Sequence, residues 1–155
     1  MILPVMAAIL ALAGAPANTQ VVCDPNLAQD FPALPGYETA GIAEGIGTDH
    51  PVILLGPTTC GAILYLSMTP AERYATHLLN QTVSWDWLEG AGLLIAMHES
   101  EHEALRSWNE CDVERQAIAK VPEIIARYAD DAGALRMAEA ADSSMPINYH
   151  TGCAS

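Results

Sequence analysis

The sequence predicts an α+β fold, in which a small N-terminal sheet is followed by helices within a single domain. Its 155 residues suffice for one compact domain. The run 51–56, "PVILLG", is short and apolar and follows the turn-like residues 47–50, as expected of a strand in a hairpin. Beyond residue 57, apolar residues recur at helical spacing over long stretches.

The chain is strongly acidic, with a formal net charge of −13 from 19 acidic and 6 basic residues. It contains no cluster of Lys or Arg, so the phosphate backbone of a nucleic acid would be repelled. Because 51% of the residues are apolar, the sequence is typical of a folded protein and not of a disordered acidic tail. We therefore expect no nucleic-acid partner.

Residues 1–17, "MILPVMAAILALAGAPA", have the pattern of a secretory signal peptide. They contain no charged side chain, have an apolar centre and end in Ala-Pro-Ala, an A-x-A cleavage pattern. The run is short for a membrane span. We predict cleavage after Ala17, which leaves residues 18–155 as one secreted or periplasmic domain with no membrane attachment. An uncleaved anchor is the alternative.

The cysteine content agrees with export. The four cysteines are widely spread and include no C-x-x-C pair, which disfavours a Cys-rich zinc site. In an oxidising compartment they predict two disulfides, for which three connectivities are possible. We favour Cys23–Cys60 with Cys111–Cys153, because these bonds would tie together each half of the domain and the C-terminal tail.

The N-terminal half is predicted to contain loops, two strands and a short helix. Residues 18–38 are rich in Pro and Gly with Asp between them, so we expect loops there. Residues 39–46 and 51–56 are the candidate strands, which could pair as a hairpin. A short helix is predicted over residues 58–66.

The C-terminal half is predicted to be helical. One helix is expected to begin at Thr69 as N-cap, with Pro70 at its first position and Glu72 completing a capping box. Further helices are predicted over 85–106, over 109–128 with Pro122 as a kink or break, and over 131–141. An irregular tail that contains Tyr149 and His150 follows.

The stretch "HESEH" contains two histidines four residues apart. On a helix such positions lie one above the other on the same face, so His98 and His102 can present imidazole nitrogens to one metal ion. Glu99 is rotated by about 100° from His98 and can lie beside the metal without ligating it. Zinc lowers the pKa of a bound water towards neutrality, and Glu99 is the candidate general base that accepts its proton.

A catalytic zinc site needs a third protein ligand and an open position. Glu110 is the first candidate. Glu114 is the alternative, or else a carboxylate that orients an imidazole N–H. On a straight helix Glu110 would lie about 12 Å beyond His102 along the axis, too far to share one ion. The helix must therefore end between Arg106 and Asn109, and the chain must turn back.

Two other interpretations of the same residues remain open. With Ser107 as N-cap, Glu110 would occupy the capping-box position of the second helix and serve only as a cap. The charge density of residues 98–103 is also compatible with a solvated acidic helix face that merely contains histidines.

The stretch "HESEHEALRSWNECDVE" resembles the gluzincin branch of the zincin metallopeptidases, and it is similar to small secreted, mostly uncharacterised actinobacterial proteins. In gluzincins the H-E-x-x-H helix is followed by a helix whose glutamate is the third zinc ligand. The resemblance implies a minimal zincin-like domain in which His98, His102 and Glu110 bind zinc. It also implies that Glu99 is the general base and that Glu114 supports one of the histidines.

The function implied by this resemblance is that of a secreted zinc metallopeptidase acting on a peptide or protein substrate. Zincins generally pair an extended substrate with an edge strand, which the resemblance places near "VILLG". Tyr149 or His150 is the candidate oxyanion stabiliser, because a Cys111–Cys153 disulfide would hold the tail near the zinc. A non-catalytic exported binding protein on the same zinc-holding scaffold is the alternative, although a structural site has no use for a general base.

Overall fold

The computed structural model describes residues 3–33, 38–79, 82–129 and 132–144. Within these ranges the chain has the α+β architecture that the sequence predicted, with a small sheet near the N-terminus and a larger set of helices. The elements in chain order are α1 (Pro4–Ala13), β1 (Gln20–Cys23), α2 (Leu27–Asp30), β2 (Gly41–Glu44), β3 (Val52–Leu55), α3 (Pro57–Leu66), α4 (Pro70–Leu79), α5 (Trp85–Leu105), α6 (Glu110–Tyr128) and α7 (Ala134–Ser143).

The sheet contains three strands in the order β1-β3-β2. The predicted hairpin is confirmed, since β2 and β3 pair antiparallel with Gly41 opposite Leu55. The expectation of loops throughout residues 18–38 is wrong, because β1 and α2 lie in that range. β1 pairs parallel with β3, with Gln20 opposite Val52. A parallel pairing between distant segments leaves little local trace in a sequence.

The central position of β3 contradicts the expectation that a substrate pairs with the strand of the "VILLG" run. The strand of the "VILLG" run has neighbours on both sides, so neither of its edges is free to pair with a substrate. In the described part of the chain no strand pairs with the outer edge of β2. β2 is therefore the strand whose free edge could receive an extended chain.

The start of α4 follows the predicted capping box. The backbone N–H of Thr69 donates to Glu72 Oε2 at 2.7 Å, and the N–H of Glu72 donates to Thr69 Oγ1 at 3.3 Å. These two bonds satisfy amide donors that the first turn of a helix leaves without an intrahelical partner.

The centre of the fold is α5, which is surrounded by α1, α3, α6, α7 and β2. Leu93, Leu94 and Met97 on this helix are fully buried. A helix that is buried on all sides must place its polar residues among other protein atoms as well. The motif histidines and glutamates therefore lie in the interior, and not on a solvated acidic face.

Close packing of α5 against its neighbours depends on small residues. A Cβ atom built on Gly90 would lie 2.1 Å from the backbone oxygen of Ala134 in α7. One built on Gly92 would lie 2.5 Å from the Cβ of Ala62 in α3. Only glycine at these two positions allows the helices to approach α5 so closely.

The following helix, α6, runs from Glu110 to Tyr128 without interruption. A kink or a break was expected at Pro122, and a break is not observed, because α6 continues through the proline. Val121, Ile124 and Ile125 beside it are buried in the core, and their packing holds this part of the chain helical despite the missing amide donor.

Buried charge links α6 to α5. Glu101 is fully buried, and Lys120 Nζ lies 2.6 Å from its Oε1. The same ammonium group donates to the backbone oxygen of Ala13, at the C-terminal end of α1, at 3.2 Å. Because an unpaired carboxylate would be costly at this depth, Lys120 stabilises the packing of α5 and α6 and also contacts α1.

The disulfide Cys23–Cys60 is present and joins β1 to α3, as predicted. The second predicted disulfide, Cys111–Cys153, includes Cys153, which lies outside the described residues.

The segment predicted as a signal peptide forms α1. Val5, Met6 and Ile9 of this helix are buried against the core. Cleavage after Ala17 remains a prediction, and the intact mass of the protein purified after expression of the full sequence would test it. Among the described helices, none combines the length and apolar character needed to cross a bilayer.

Candidate metal centre and cleft

The chain reverses direction immediately after the histidine motif. α5 ends at Leu105, and Arg106 adopts the left-handed conformation with φ of 50°. The backbone N–H of Ser107 then donates to the oxygen of His102 at 3.2 Å. The predicted break between Arg106 and Asn109 is therefore confirmed, with Arg106 taking the left-handed position that glycine usually occupies.

Asn109 is the N-cap of α6, since its Oδ1 accepts a hydrogen bond from the backbone N–H of Asp112 at 3.1 Å. Glu110 is consequently the first residue of the helix and does not occupy a capping-box position. The interpretation of Glu110 as a cap partner of Ser107 is wrong. Its carboxylate is free to extend towards α5.

Glu110 and the two histidines converge on one point. Glu110 Oε2 lies 2.9 Å from His98 Nε2 and 3.2 Å from His102 Nε2. One ligand atom from each of the three residues lies within 4.8 Å of the other two. Two imidazole nitrogens and a carboxylate oxygen in this arrangement could hold a metal ion.

The other nitrogen of each imidazole ring is fixed by a separate partner. His98 Nδ1 lies 2.7 Å from Glu114 Oε2, and His102 Nδ1 lies 2.8 Å from the backbone oxygen of Ser107. In both rings Nδ1 donates its proton to these partners. The Nε2 atom, which faces Glu110, is therefore the nitrogen that can bind a metal. Glu114 therefore contacts the opposite side of the His98 ring from Glu110.

The electrostatics of the centre favour a cation between the histidines and Glu110. Burial alone would lower the pKa of His98, but hydrogen bonds with Glu110 and Glu114 outweigh it and raise that pKa to about 10. Burial would raise the pKa of Glu110, but hydrogen bonds from His102 and His98 lower it to about 2. In the metal-free centre a proton on His98 supplies the positive charge that a metal ion would replace.

Metal affinity is therefore expected to rise with pH. Below about pH 10 the metal must displace the His98 proton, whereas Glu110, with a pKa of about 2, is already ionised at neutral pH. Each proton displaced strengthens binding about tenfold per pH unit. Competition with a chromophoric chelator between pH 6 and 8 would measure the slope. A Zn²⁺ dissociation constant that does not change across this range would contradict the arrangement.

Glu99 lies beside the centre under the edge strand. It is buried, and this burial raises the pKa of its carboxyl group, while His98 and His102 partly oppose the increase. A Cβ atom built on Gly41 of β2 would lie 2.7 Å from Glu99 Cγ and 3.2 Å from its Oε1. The absence of a side chain at Gly41 thus allows β2 to pass directly over Glu99.

A cleft of about 860 Å³ opens onto these groups. His98, Glu99, His102 and Glu110 all face it. Its other walls are formed by residues 38–43, the first turn of α3, the N-terminal half of α5 and the end of α7, with Trp108 beside the metal centre. The volume lies in the range of pockets that bind small molecules or peptide side chains.

The free edge of β2 adjoins this cleft. The N–H of Gly56 donates to the oxygen of Ala40 at 2.9 Å, which makes these two residues a bonded pair of the hairpin. Bonded pairs alternate along an antiparallel ladder, so the peptide groups of Gly41 and Ala43 point away from β3 towards the free edge.

The candidate oxyanion stabilisers were predicted in the C-terminal tail. Tyr149 and His150 lie outside the described residues. Trp85 stacks on His77 with ring centroids 4.3 Å apart. Trp87 is 40% exposed and lines the cleft.

Sequence reasoning overlooked Gly41, Glu38 and Trp108, although all three line the cleft. Neither Gly41 nor Glu38 belongs to a recognisable sequence motif. Their places in the cleft depend on how β2 and the residues before it cross α5. Proximity to Asn109 and the expected turn was the only local signal for Trp108.

No protein-family model matches the chain, and neither the curated proteins nor the solved structures compared with it include a significant match.

Proposed function

We propose that the protein is an exported zinc-dependent peptidase. The observation that carries this proposal is the convergence of two imidazole Nε2 atoms and the Glu110 carboxylate in a cleft that also contains Glu99. Two histidines and one glutamate form a ligand set used by catalytic zinc sites in peptidases. A structural site has no comparable need for a fourth, proton-accepting side chain facing the same cleft.

Zinc, when bound, would supply Lewis-acid polarisation of the substrate carbonyl and a lowered pKa for the attacking water. Glu99 accepts the proton of the attacking water and then transfers it to the leaving amine. Burial raises the pKa of Glu99, and a carboxylate with a raised pKa is a stronger proton acceptor than an exposed one. Glu114 and the Ser107 carbonyl keep the two imidazole rings in the required orientation.

An extended substrate is proposed to pair with the free edge of β2. The outward peptide groups of Gly41 and Ala43 offer hydrogen bonds to its backbone. Because Gly41 lies directly over Glu99, a chain bound to this edge passes close to the proton-accepting carboxylate. The edge strand therefore positions the peptide bond to be cleaved.

Export is supported by two features. The Cys23–Cys60 disulfide is typical of an oxidising compartment. Residues 1–17 carry the composition and A-x-A pattern of a signal peptide. Together they favour an extracytoplasmic location for the peptidase.

A peptide-library digestion would test the proposed activity. The zinc-loaded protein is expected to generate new peptide termini, detected by mass spectrometry, and a chelator should abolish them until zinc is restored. Stoichiometric zinc without any cleavage would reject the peptidase and favour a non-catalytic exported binding protein on the same scaffold. Absence of zinc binding under all loading conditions would reject both functions.

Replacement of Gly41 by alanine is expected to reduce peptide hydrolysis about ten- to a hundred-fold while zinc remains bound. The added Cβ would collide with Glu99 Cγ, so either the carboxylate or β2 must move, and small displacements of reacting groups cost this much in rate. The measurements are kcat, KM and zinc content.

Gly61→Ala is the matched control, because a Cβ atom at Gly61 meets no other atom within 4 Å. This variant should keep the parent activity. Equal activity of Gly41→Ala and the parent would show that the close approach of β2 to Glu99 is unimportant.

A further inference from the structure

The distribution of charge around the cleft is one-sided. Three acidic side chains line it, namely those of Glu38, Glu99 and Glu110. All six cationic side chains of the protein fall within the described ranges, and none of them lines the described cleft; they are Arg73, Arg106, Arg115, Lys120, Arg127 and Arg136. Lys120, which contacts the motif helix, is paired with Glu101, and neither of these residues lines the cleft.

A divalent ion would not reverse this balance. With His98 and His102 neutral as ligands, the immediate centre contains the carboxylates of Glu99, Glu110 and Glu114. Glu110 and Glu114 alone balance the two positive charges of the ion, and Glu99 adds a third acidic side chain. Glu38, which is exposed at the rim, adds a further negative charge where a substrate would enter.

The remaining walls contribute contact area without positive charge. They include Ile42 on β2, Leu88 and Ile95 on α5, and the side chains of Trp87 and Trp108. Apolar walls of this kind exclude water and strengthen the electrostatic effect of the carboxylates on a bound group.

We propose that the cleft selects peptide segments with neutral or cationic side chains around the cleaved bond and rejects segments with acidic ones. This inference rests on the proposed peptidase function. A free C-terminal carboxylate is disfavoured for the same reason, so cleavage takes place within a chain or near its amino end. Glu38 is the specificity-determining residue at the rim, because its carboxylate is exposed and does not belong to the metal centre.

Binding of two matched peptides would test the selection independently of hydrolysis. The probes are acetylated and amidated alanine-rich peptides that differ only in carrying Lys or Glu at the same two positions. The zinc-loaded Glu99→Gln protein serves as the receptor, and the fluorescence of Trp87 and Trp108 reports binding. The Lys peptide should bind about tenfold more tightly at low salt, and high salt should reduce the difference.

The position of the charge is tested by two further substitutions in the same Glu99→Gln background. Glu38→Lys should reduce the Lys-over-Glu preference about fivefold. Glu123→Lys changes the net charge equally, but its exposed site lies about 20 Å further along α6 than Glu110. It should alter the preference by less than about twofold.

Equal affinity for the two peptides, or equal effects of Glu38→Lys and Glu123→Lys, would overturn the inference. Failure of both peptides to bind would overturn it as well. Selective binding without any hydrolysis by the zinc-loaded parent protein would uphold the charge selection and reject only the proposed peptidase function.

Discussion

Replacement of Glu110 by alanine is expected to abolish stoichiometric zinc binding. Its Oε2 atom lies within 3.2 Å of both His98 Nε2 and His102 Nε2, so the variant loses the only carboxylate between the two rings among the described residues. Two histidines alone form an incomplete site, because catalytic zinc normally has three protein ligands. Elemental analysis of the purified protein should fall from about one zinc per chain to near zero.

Glu114→Gln is expected to behave differently from Glu110→Ala. Glu114 contacts His98 Nδ1 and does not face the ion, so its loss should weaken zinc binding about ten- to a hundred-fold without removing the site. Glu123→Gln is the control on the same helix, because Glu123 is exposed and pairs with Arg127. Zinc retained in Glu110→Ala but lost in Glu114→Gln would exchange the roles of the two glutamates.

Replacement of Glu99 by glutamine is expected to lower kcat/KM for peptide hydrolysis by about 10²- to 10⁴-fold, the usual contribution of a general base. The amide has nearly the same size as the carboxylate but cannot accept the proton of the attacking water. Zinc content should not change, since Glu99 is not one of the three residues that could hold the ion. Initial rates on a cleaved library peptide, with zinc content measured on the same sample, would provide the comparison.

Glu103→Gln is a matched control for this loss. Glu103 lies one helical turn after Glu99 and is also buried, but it does not line the cleft. Burial raises its pKa to about 7, so a neutral amide resembles the protonated carboxyl that is present for much of the time near neutrality. This variant should retain most of the activity. Undiminished hydrolysis by Glu99→Gln would remove Glu99 from the mechanism.

Much of the local structure was predictable from short segments of the sequence. The capping box at Thr69 and Glu72 formed as expected, because its two hydrogen bonds involve residues only three apart. The break before α6 was also predictable, although from chemistry and not from local propensity. A shared metal ion requires the chain to reverse between His102 and Glu110, and no Gly or Pro marks that turn.

Other features depended on contacts between distant segments. β1 forms only by pairing with β3, some thirty residues later, so its own Pro- and Gly-rich surroundings gave a misleading indication of loops. α6 passes through Pro122 because the core residues around it bury enough apolar surface to outweigh one missing hydrogen bond. Propensity alone could not have predicted either outcome.

The sequence by itself determined the α+β class and the set of histidines and glutamates that could hold a metal, but it left the disulfide connectivity open. Only the tertiary structure placed Glu110 between the Nε2 atoms and Glu114 on Nδ1. The two glutamates are one helical turn apart, so their sequence positions serve either role equally well. Their distinct contacts arise from the angle at which α6 packs against α5, which no single segment of the sequence contains.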